Sequence, residues 1–574
     1  MDKIVLTERL KEFLTMIGIG KGKLGKQSIV AQFAVTTSAV EDKALDENKP
    51  YAEFWMGAHP SLPSYDHSTG QSLQDVLRDN PHLLSTHVSQ KFRTTLPFLF
   101  KVLSIREPLC IQAHPDRDLA HDLHARDPLT YPDSNHKPEM IVALTPFEAL
   151  CGFRPLKEID RFLSSVPPLR NLISDGTAME RAWSELLTAH PSRVRSCAED
   201  LIRFATSRPS NESFAVEHGN LTDLILQLSE HYPYDVGLFA VLFMNHVCLS
   251  PGEALFVRSN ELHAYLSGDG IECMASSANV VRAGFSRKTK DVDTLISMLK
   301  YEYLPPFIVR TPTPYLRVAM SSQQSTSVLY ESPAEEFNII KTSLAPRSAR
   351  ANFQAFRGPT VLICTQGSGK IGVADHAELI ECGYVFFVGA GAEIFIQSSS
   401  RSPMAEGVFR NMAASHPLIN EIDSAGTGAY HTHEPPDSRT MSTLRQHGIK
   451  NYNHAARKVT KEDFLTFDYL MAMDKYNLRD LLDVRESVIA SLSKSKKGTR
   501  AASGEAGAKV AEVRLFGDFG AGGKLHERVG GGEVVQDPYY GGVNGFEEVY
   551  QQVVRFSKGF LDYLEKNQGG EDDN

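Results

Sequence analysis

Three short stretches, well separated along the chain, place polar groups where a strand of a buried sheet would have apolar ones. They are Leu109-Cys110-Ile111-Gln112-Ala113-His114-Pro115, His136-Lys137-Pro138-Glu139-Met140, and Glu261-Leu262-His263-Ala264-Tyr265 running on to Ile271-Glu272-Cys273. Alternate residues of a strand point the same way. Gln112 and His114 therefore share a face, as do Lys137 with Glu139 and His263 with Tyr265. Ser267-Gly268-Asp269-Gly270 predicts a hairpin turn that sets Glu272 across from Tyr265. Such side chains are costly to bury without partners. A fold that accommodates them must bring them together or bind something between them.

Two imidazoles, one carboxylate and one amide oxygen suit Zn2+, with Mn2+ or another divalent ion as the alternative. One carboxylate against a dication leaves positive charge, which preserves Lewis acidity and favours an anionic substrate. The competing reading, a set of hydrogen-bonded core polar residues, is the better one for either histidine alone.

The chain has 574 residues, too many for one core. A net charge of −10 with interspersed signs argues against a nucleic-acid or anionic-membrane surface. No stretch approaches the roughly 18 apolar residues of a membrane span, and Asp2, Glu8 and Glu12 speak against a signal peptide. A cytoplasmic monomer is the expectation. The seven cysteines are scattered, form no Cys-x-x-Cys pair, and end at Cys382. They imply neither a disulfide framework nor a thiolate zinc finger.

Apolar runs such as Phe98 to Leu103 predict buried strands before residue 153. Val194 to Ala205 and Leu221 to His231 repeat apolar residues at helical spacing, so a helical insert follows. Strands return at Ala254 to Val257, Leu262 to Leu266, Ile271 to Ala275, Val361 to Cys364 and Val385 to Val388. Beyond Ile396 to Ser400, helices (Met404 to Ala413, Phe546 to Glu565) alternate with a strand at Val510 to Phe516, the mark of an α/β unit. Lys494 to Lys509 has the Ser, Lys, Gly and Ala composition of a disordered insertion.

The three polar stretches, with Tyr51-Ala52-Glu53-Phe54-Trp55-Met56-Gly57, Ala149-Leu150-Cys151-Gly152-Phe153-Arg154-Pro155 and Asn279-Val280-Val281-Arg282-Ala283-Gly284, resemble type I phosphomannose isomerases over about residues 22–398. The resemblance implies zinc ligands Gln112, His114, Glu139 and His263, with one ion per chain. It implies a catalytic arginine at Arg282 and a sugar-phosphate pocket lined by Lys101, Lys137, Tyr265 and Glu272. The acid/base group that moves the proton is left open between Glu272 and Lys137. Two departures stand out: Ala278 where the family has aspartate, and Lys21-Gly22-Lys23 without the family's preceding tryptophan.

Arg401-Ser402-Pro403-Met404-Ala405-Glu406 predicts a loop entering a helix, with Ser402 as N-cap and an anion-binding N-terminus. With Asp423-Ser424-Ala425-Gly426-Thr427 and Asp537-Pro538-Tyr539-Tyr540-Gly541 it resembles a low-molecular-weight protein tyrosine phosphatase over about residues 401–566. By that resemblance Arg401 and Ser402 belong to the phosphate loop and Asp537 is the general acid. The required cysteine, six residues before the arginine, is replaced by Phe395, and the first strand of the phosphatase sheet is missing. A join inside an expected strand of each family favours a chain merged from two coding units.

The expectation is a multidomain chain: an all-β cupin, a double-stranded β-helix, carrying an α-helical insert, then a partial flavodoxin-like α/β segment. Its parts are an N-terminal cupin part with the metal ligands (1–154), the insert (155–247), a C-terminal cupin part (248–398) and a degenerate phosphatase-like segment (399–574, with 490–509 as the disordered insertion). The expected activity is zinc-dependent interconversion of mannose 6-phosphate and fructose 6-phosphate, with no nucleic-acid or membrane partner. The alternatives are a non-catalytic metal and sugar-phosphate binding protein, and a bifunctional chain with phosphatase activity.

Overall fold

The computed structural model describes residues 10–14, 16–36, 46, 48–60, 62–93, 95–174, 178–207, 212–323, 325–345, 349–374, 376–398, 402–425, 438–450, 452, 457, 459–496, 510–535 and 545–568. The chain first lays down β1 (Leu10–Leu14), β2 (Met16–Leu24), β3 (Pro50–Met56), β4 (Tyr65–Asp66), β5 (Phe98–Ile105), β6 (Ile111–Ala113), β7 (Glu139–Ala143) and β8 (Phe147–Phe153). After a helical region come β9 (Met244–Leu249), β10 (Ala254–Val257), β11 (His263–Ala275), β12 (Val281–Gly284) and β13 (Phe307–Val309). Two walls result. One has the order β13-β10-β7-β11-β5-β2-β3 and the other β12-β6-β11-β8-β9.

Strand β11 belongs to both walls, and here the structure corrects the expected hairpin. Residues 267–270 do not turn back. The strand runs unbroken for 13 residues, pairing with β8 and β6 near His263 and with β5 and β7 from Gly268 onward. It changes walls through a register shift between Tyr265 and Ser267, as strands do at the corners of packed sheets. The Gly-Asp-Gly signal has a different cause. A Cβ on Gly268 would lie 2.6 Å from the Pro146 carbonyl, and one on Gly270 2.7 Å from Ile141 Cδ1. Gly268 also holds φ +112°, a conformation open to glycine. Asp269 is buried and bonded to Ser104 Oγ and Lys23 Nζ, both at 2.7 Å. The glycines permit close wall-to-wall approach, and Glu272 lies opposite Lys101 of β5.

Between β8 and β9 the helices Leu156–Ser165, Met179–Thr188, Pro191–Thr206 and Glu212–His231 follow the 3.6-residue period of their apolar side chains. Phe162, Trp183 and Leu201 share one core with Ile111 and Val281 from the second wall. The helices thus cover the outer face of that wall around β6, β11 and β12 and leave its inner face to the polar side chains.

The next strands are β14 (Thr313–Pro314), β15 (Val318–Met320), β16 (Thr326–Tyr330), β17 (Ile339–Ser343), β18 (Arg350–Phe353), β19 (Thr360–Ile363), β20 (Ser368–Val373), β21 (His376–Glu381), β22 (Val385–Val388) and β23 (Ile394–Ser398). They form sheets ordered β14-β16-β17, β15-β18-β23-β20-β21, and β19-β22-β1-β4. In the last of these, β1 pairs Leu10 to Glu12 with Val388 to Phe386 and so ties the first strand to one of the last.

Past residue 401, the helices Ser402–Met412, Ser438–Gln446, Lys475–Lys496 and Gly545–Gln568 surround β24 (Tyr469–Ala472) and β25 (Glu512–Leu515), which pair in parallel. Met404, Phe516, Phe556 and Phe560 pack in one core. Residues 490–496, expected in a disordered insertion, are the end of helix Lys475–Lys496. The apolar period of Leu481, Val488 and Leu492 carries the helix past the predicted boundary. Residues 497–509 lie outside the described residues.

Candidate metal centre

Polar side chains converge between the two walls, each placed by register. Arg282 of β12 is opposite Gln112 of β6, and Gln112 is opposite His263 of β11. Across-strand partners share a face, so this row points inward. From the other wall, Trp55 pairs with Lys101 and Lys101 with Glu272, while Glu139 pairs with Met274 two residues along. Glu139 and Glu272 therefore face the first row.

The distances draw these rows to one point. His114 Nε2 lies 3.3 Å from Glu139 Oε1, and His263 Nε2 lies 3.3 Å from Glu139 Oε2. The two imidazoles and the carboxylate are buried and bring their donor atoms within 4.8 Å of one another. The Gln112 amide is 3.2 Å from His263 Nε2. That contact assigns the amide nitrogen inward; a half-turn of the amide presents its oxygen instead.

Both histidines are oriented from behind. His114 Nδ1 donates to the Asn279 carbonyl at 2.7 Å, and His263 Nδ1 to the Glu261 carbonyl at 3.1 Å. That leaves each Nε2 lone pair facing Glu139, the tautomer a metal ligand needs. Asn260, in the left-handed region at φ 62°, donates its N–H to the His114 carbonyl at 2.7 Å and its side-chain amide to Asp116 Oδ2 at 2.6 Å. Asp116 in turn caps the helix Arg117–Arg126 by accepting the Leu119 N–H. Asn279 is buried and ties its amide to the Asp133 and Asn135 carbonyls.

Burial and nearby Lys137 depress the His114 imidazole to about 4, so it is neutral at physiological pH. Burial would raise the Glu139 carboxyl, but Lys137, its ammonium 2.8 Å away, and His114 hold it well below the usual range. Despite these neighbours, His114 Nε2 and Glu139 Oε2 have no hydrogen-bond partner. Buried polar atoms are seldom left so. Two imidazoles, a carboxylate and an adjacent amide are a donor set that fits a zinc-class ion.

Beside this group, Lys101 Nζ lies 3.5 Å from both Glu53 and Glu272 and 4.3 Å from the centre of the Trp55 ring. Burial would lower the ammonium, but Glu53, Glu272 and Glu139 outweigh it and raise it. Burial, then the Glu139 charge, pushes the Glu272 carboxyl up to about 7. Tyr265 is buried with its hydroxyl unpartnered. Arg282 is half-buried, and no acidic side chain among the described residues pairs with it. At the other departure, β2 continues through Lys21-Gly22-Lys23 and pairs Gly22 with Ile105. A Cβ at Gly22 would meet the Tyr51 backbone at 2.2 Å.

Two acidic residues in this neighbourhood escaped sequence reading. Glu53 accepts the Trp55 indole N–H at 2.6 Å, and its placement two residues from Trp55 in a strand was the available signal. Glu336, on the loop between β16 and β17, is buried and bonds His136 Nε2 at 2.8 Å and Arg117 at 2.9 Å. It is 200 residues from His136 in the chain, and no local pattern marks it.

The C-terminal site is not assembled in the same way. Arg401 and Asp537 lie outside the described residues, and Ser402 begins the helix Ser402–Met412. Phe395, at the expected nucleophile position, is on β23 with the Arg350 guanidinium 3.7 Å over its ring. Glu406 is buried but occupied, accepting from Arg410, Ser424 and Tyr452 at 2.8, 2.9 and 2.8 Å.

Family models match in three consecutive pieces: phosphomannose isomerase type I catalytic domain (residues 17–156), its helical insertion domain (169–244) and its C-terminal domain (327–376). A fourth, low molecular weight phosphotyrosine protein phosphatase, matches residues 393–500. Among curated relatives, mannose-6-phosphate isomerase of Emericella nidulans is 45% identical over 70% of this chain and 96% of its own length. That of Saccharomyces cerevisiae is 41% identical over 66% and 94%. An arginine-to-alanine mutant of phosphomannose isomerase from Salmonella typhimurium superimposes with a TM-score of 0.55 at 26% identity, covering 68% of this chain and 99% of its own. A mannose 6-phosphate isomerase bound with zinc and yttrium shares the fold, with a TM-score of 0.52 at 24% identity over 68% and 99%.

Proposed function

The chain belongs to the type I phosphomannose isomerase family, and on that footing we propose that it is a zinc-dependent isomerase interconverting mannose 6-phosphate and fructose 6-phosphate. The convergence of His114, Glu139 and His263, with two buried donor atoms left open, carries the proposal. Gln112 completes the ligand set. The all-β part is a cupin core, and its product would supply mannose donors for glycosylation through GDP-mannose.

A bound zinc ion supplies a Lewis acid that polarises the sugar oxygens. The chain's own residues do the rest. The C2–H bond breaks and its electron pair forms the C1–C2 double bond of a cis-enediol(ate) as the C1 carbonyl pair moves onto O1. O1 then takes up a proton and O2 gives one up, so that the C2 carbonyl forms as a proton returns at C1. Glu272, with a carboxyl near 7, can hold that proton at neutral pH; Lys137, against Glu139, is the second candidate. Arg282 offers its guanidinium to the developing oxyanion. Lys101 and Tyr265 line the sugar-phosphate pocket, with Lys101 fixed between two carboxylates.

Ala278 does not undo this arrangement. Its N–H donates to Asp133 Oδ2 at 2.7 Å, and Ser277 Oγ donates to Oδ1 at 2.8 Å. The turn leading to Arg282 is therefore held by its backbone and by Asp133, without a carboxylate at 278.

The phosphatase-like segment is inactive on this reading. Thiol chemistry needs a nucleophile, and no cysteine follows Cys382. A coupled assay on mannose 6-phosphate tests the isomerase proposal: turnover that chelation abolishes and zinc restores is expected. A metal-loaded protein without turnover would instead make it a binding protein.

A further inference from the structure

The described residues bring together one other mixed set of metal-ligating side chains: Glu148 on β8 with His246 and Cys248 on β9, their donor atoms all within 4.8 Å of one another. The placement follows from strand register. Glu148 is directly opposite Cys248, and His246 lies two residues from Cys248 on the same side of β9. The intervening residues of β8, Ala149 and Cys151, pair with Tyr265 and His263 and face inward. Glu148, His246 and Cys248 therefore lie on the opposite face of the wall from the buried centre.

Three features separate this set from an ordinary polar strand edge. Cys248 Sγ is 3.9 Å from His246 Nε2. Sulfur and nitrogen ligands of one tetrahedral zinc ion stand about 3.6 Å apart, so a few tenths of an ångström of side-chain adjustment closes the site. Glu148 accepts a hydrogen bond from Ser267 Oγ at 3.3 Å and has no cationic partner among the described residues. Cys248 is exposed while Glu148 and His246 are half-buried, which gives an ion a route in and two ligands that are already confined.

We propose that Glu148, His246 and Cys248 form a second metal site, of the zinc class, on the outer face of the β8–β9 pair. One nitrogen, one sulfur and one oxygen ligand leave a fourth position for water, and the sulfur disfavours Mg2+ and Ca2+. Burial lowers the His246 imidazole and keeps it neutral, whereas burial and Glu148 raise the Cys248 thiol. Binding therefore releases the thiol proton to solvent as the thiolate takes the ion. Among the described residues β9 pairs with β8 alone, and it is the strand on which the chain returns from the helices. An ion here would pin that edge.

Cobalt distinguishes the two centres, because the ligands of the buried one include no sulfur. The full-length protein titrated with Co2+ is expected to develop a thiolate-to-cobalt charge-transfer band. Cys248→Ser and His246→Ala are each expected to remove the band and to bind one ion fewer per chain, with isomerase turnover retained. Absence of the band at saturating Co2+ would overturn the proposal. So would a band that survives both substitutions, since that would place the thiolate elsewhere, as at Cys110 beside Gln112. A band that both substitutions remove reports this site alone, so that result stands apart from whether the buried centre holds zinc.

Discussion

The two ends of this molecule treat buried charge in opposite ways. Between the walls, His114, Glu139, His263, Lys101, Lys137 and Glu272 are all buried, yet His114 Nε2 and Glu139 Oε2 have no partner. In the C-terminal part, buried Glu406 is surrounded by three donors, and Asp463 by Arg457 and the Thr460 N–H. A saturated carboxylate contributes to stability but offers nothing to a ligand. An unsaturated pair destabilises the empty protein and is retained where a ligand completes it. The first region is left open to a ligand, and the second is saturated from within.

The comparison can be broken most decisively at the His114, Glu139 and His263 cluster. His114→Ala or His263→Ala should abolish zinc retention and lower kcat/KM by roughly 10³-fold or more, the scale of losing a Lewis acid. Metal analysis paired with the coupled assay checks this, and full turnover in a zinc-free variant would sink the distinction. Arg282→Ala should reduce kcat by about 10²–10³-fold while zinc content stays unchanged, as expected for removing one oxyanion-stabilising group. Gly268→Ala tests the corner of β11. With no room for a Cβ, it should cost about 1–3 kcal/mol in denaturant unfolding followed by activity. The smallest effect is expected at the other end. Removing residues 399–574 should leave isomerase kcat/KM within about twofold, and the intact chain should show no aryl phosphatase turnover above that of the His114→Ala variant. A large loss on truncation would give the second region a role its saturated carboxylates do not suggest.

Much of the site could be read from sequence because each ligand sits in a short stretch whose alternation fixes its face. Alternation gave the faces of Gln112, His114, Glu139 and His263, while their grouping into one ligand set came from the family resemblance. The helices between β8 and β9 were equally legible, their apolar period being local. What escaped depends on packing between distant segments. Gly268 and Gly270 read as a turn because close approach of Pro146 and Ile141 leaves no trace beside them in the chain. Glu336 meets His136 only because a later sheet folds back over the first walls. The helical end at 490–496 was obscured by its Ser and Lys content, although Val488 and Leu492 pack against the β24–β25 core.

Strand β23 also limits what this molecule can become. The phosphatase match begins at residue 393 and so takes in Ile394 to Ser398. Those residues sit third of five in a sheet, hydrogen-bonded to β18 on one side and β20 on the other. One segment cannot serve two sheets. Restoring a cysteine at position 395 would leave it stranded in the wrong layer. A phosphate cradle would require ripping the central rung from a ladder that the isomerase half already uses.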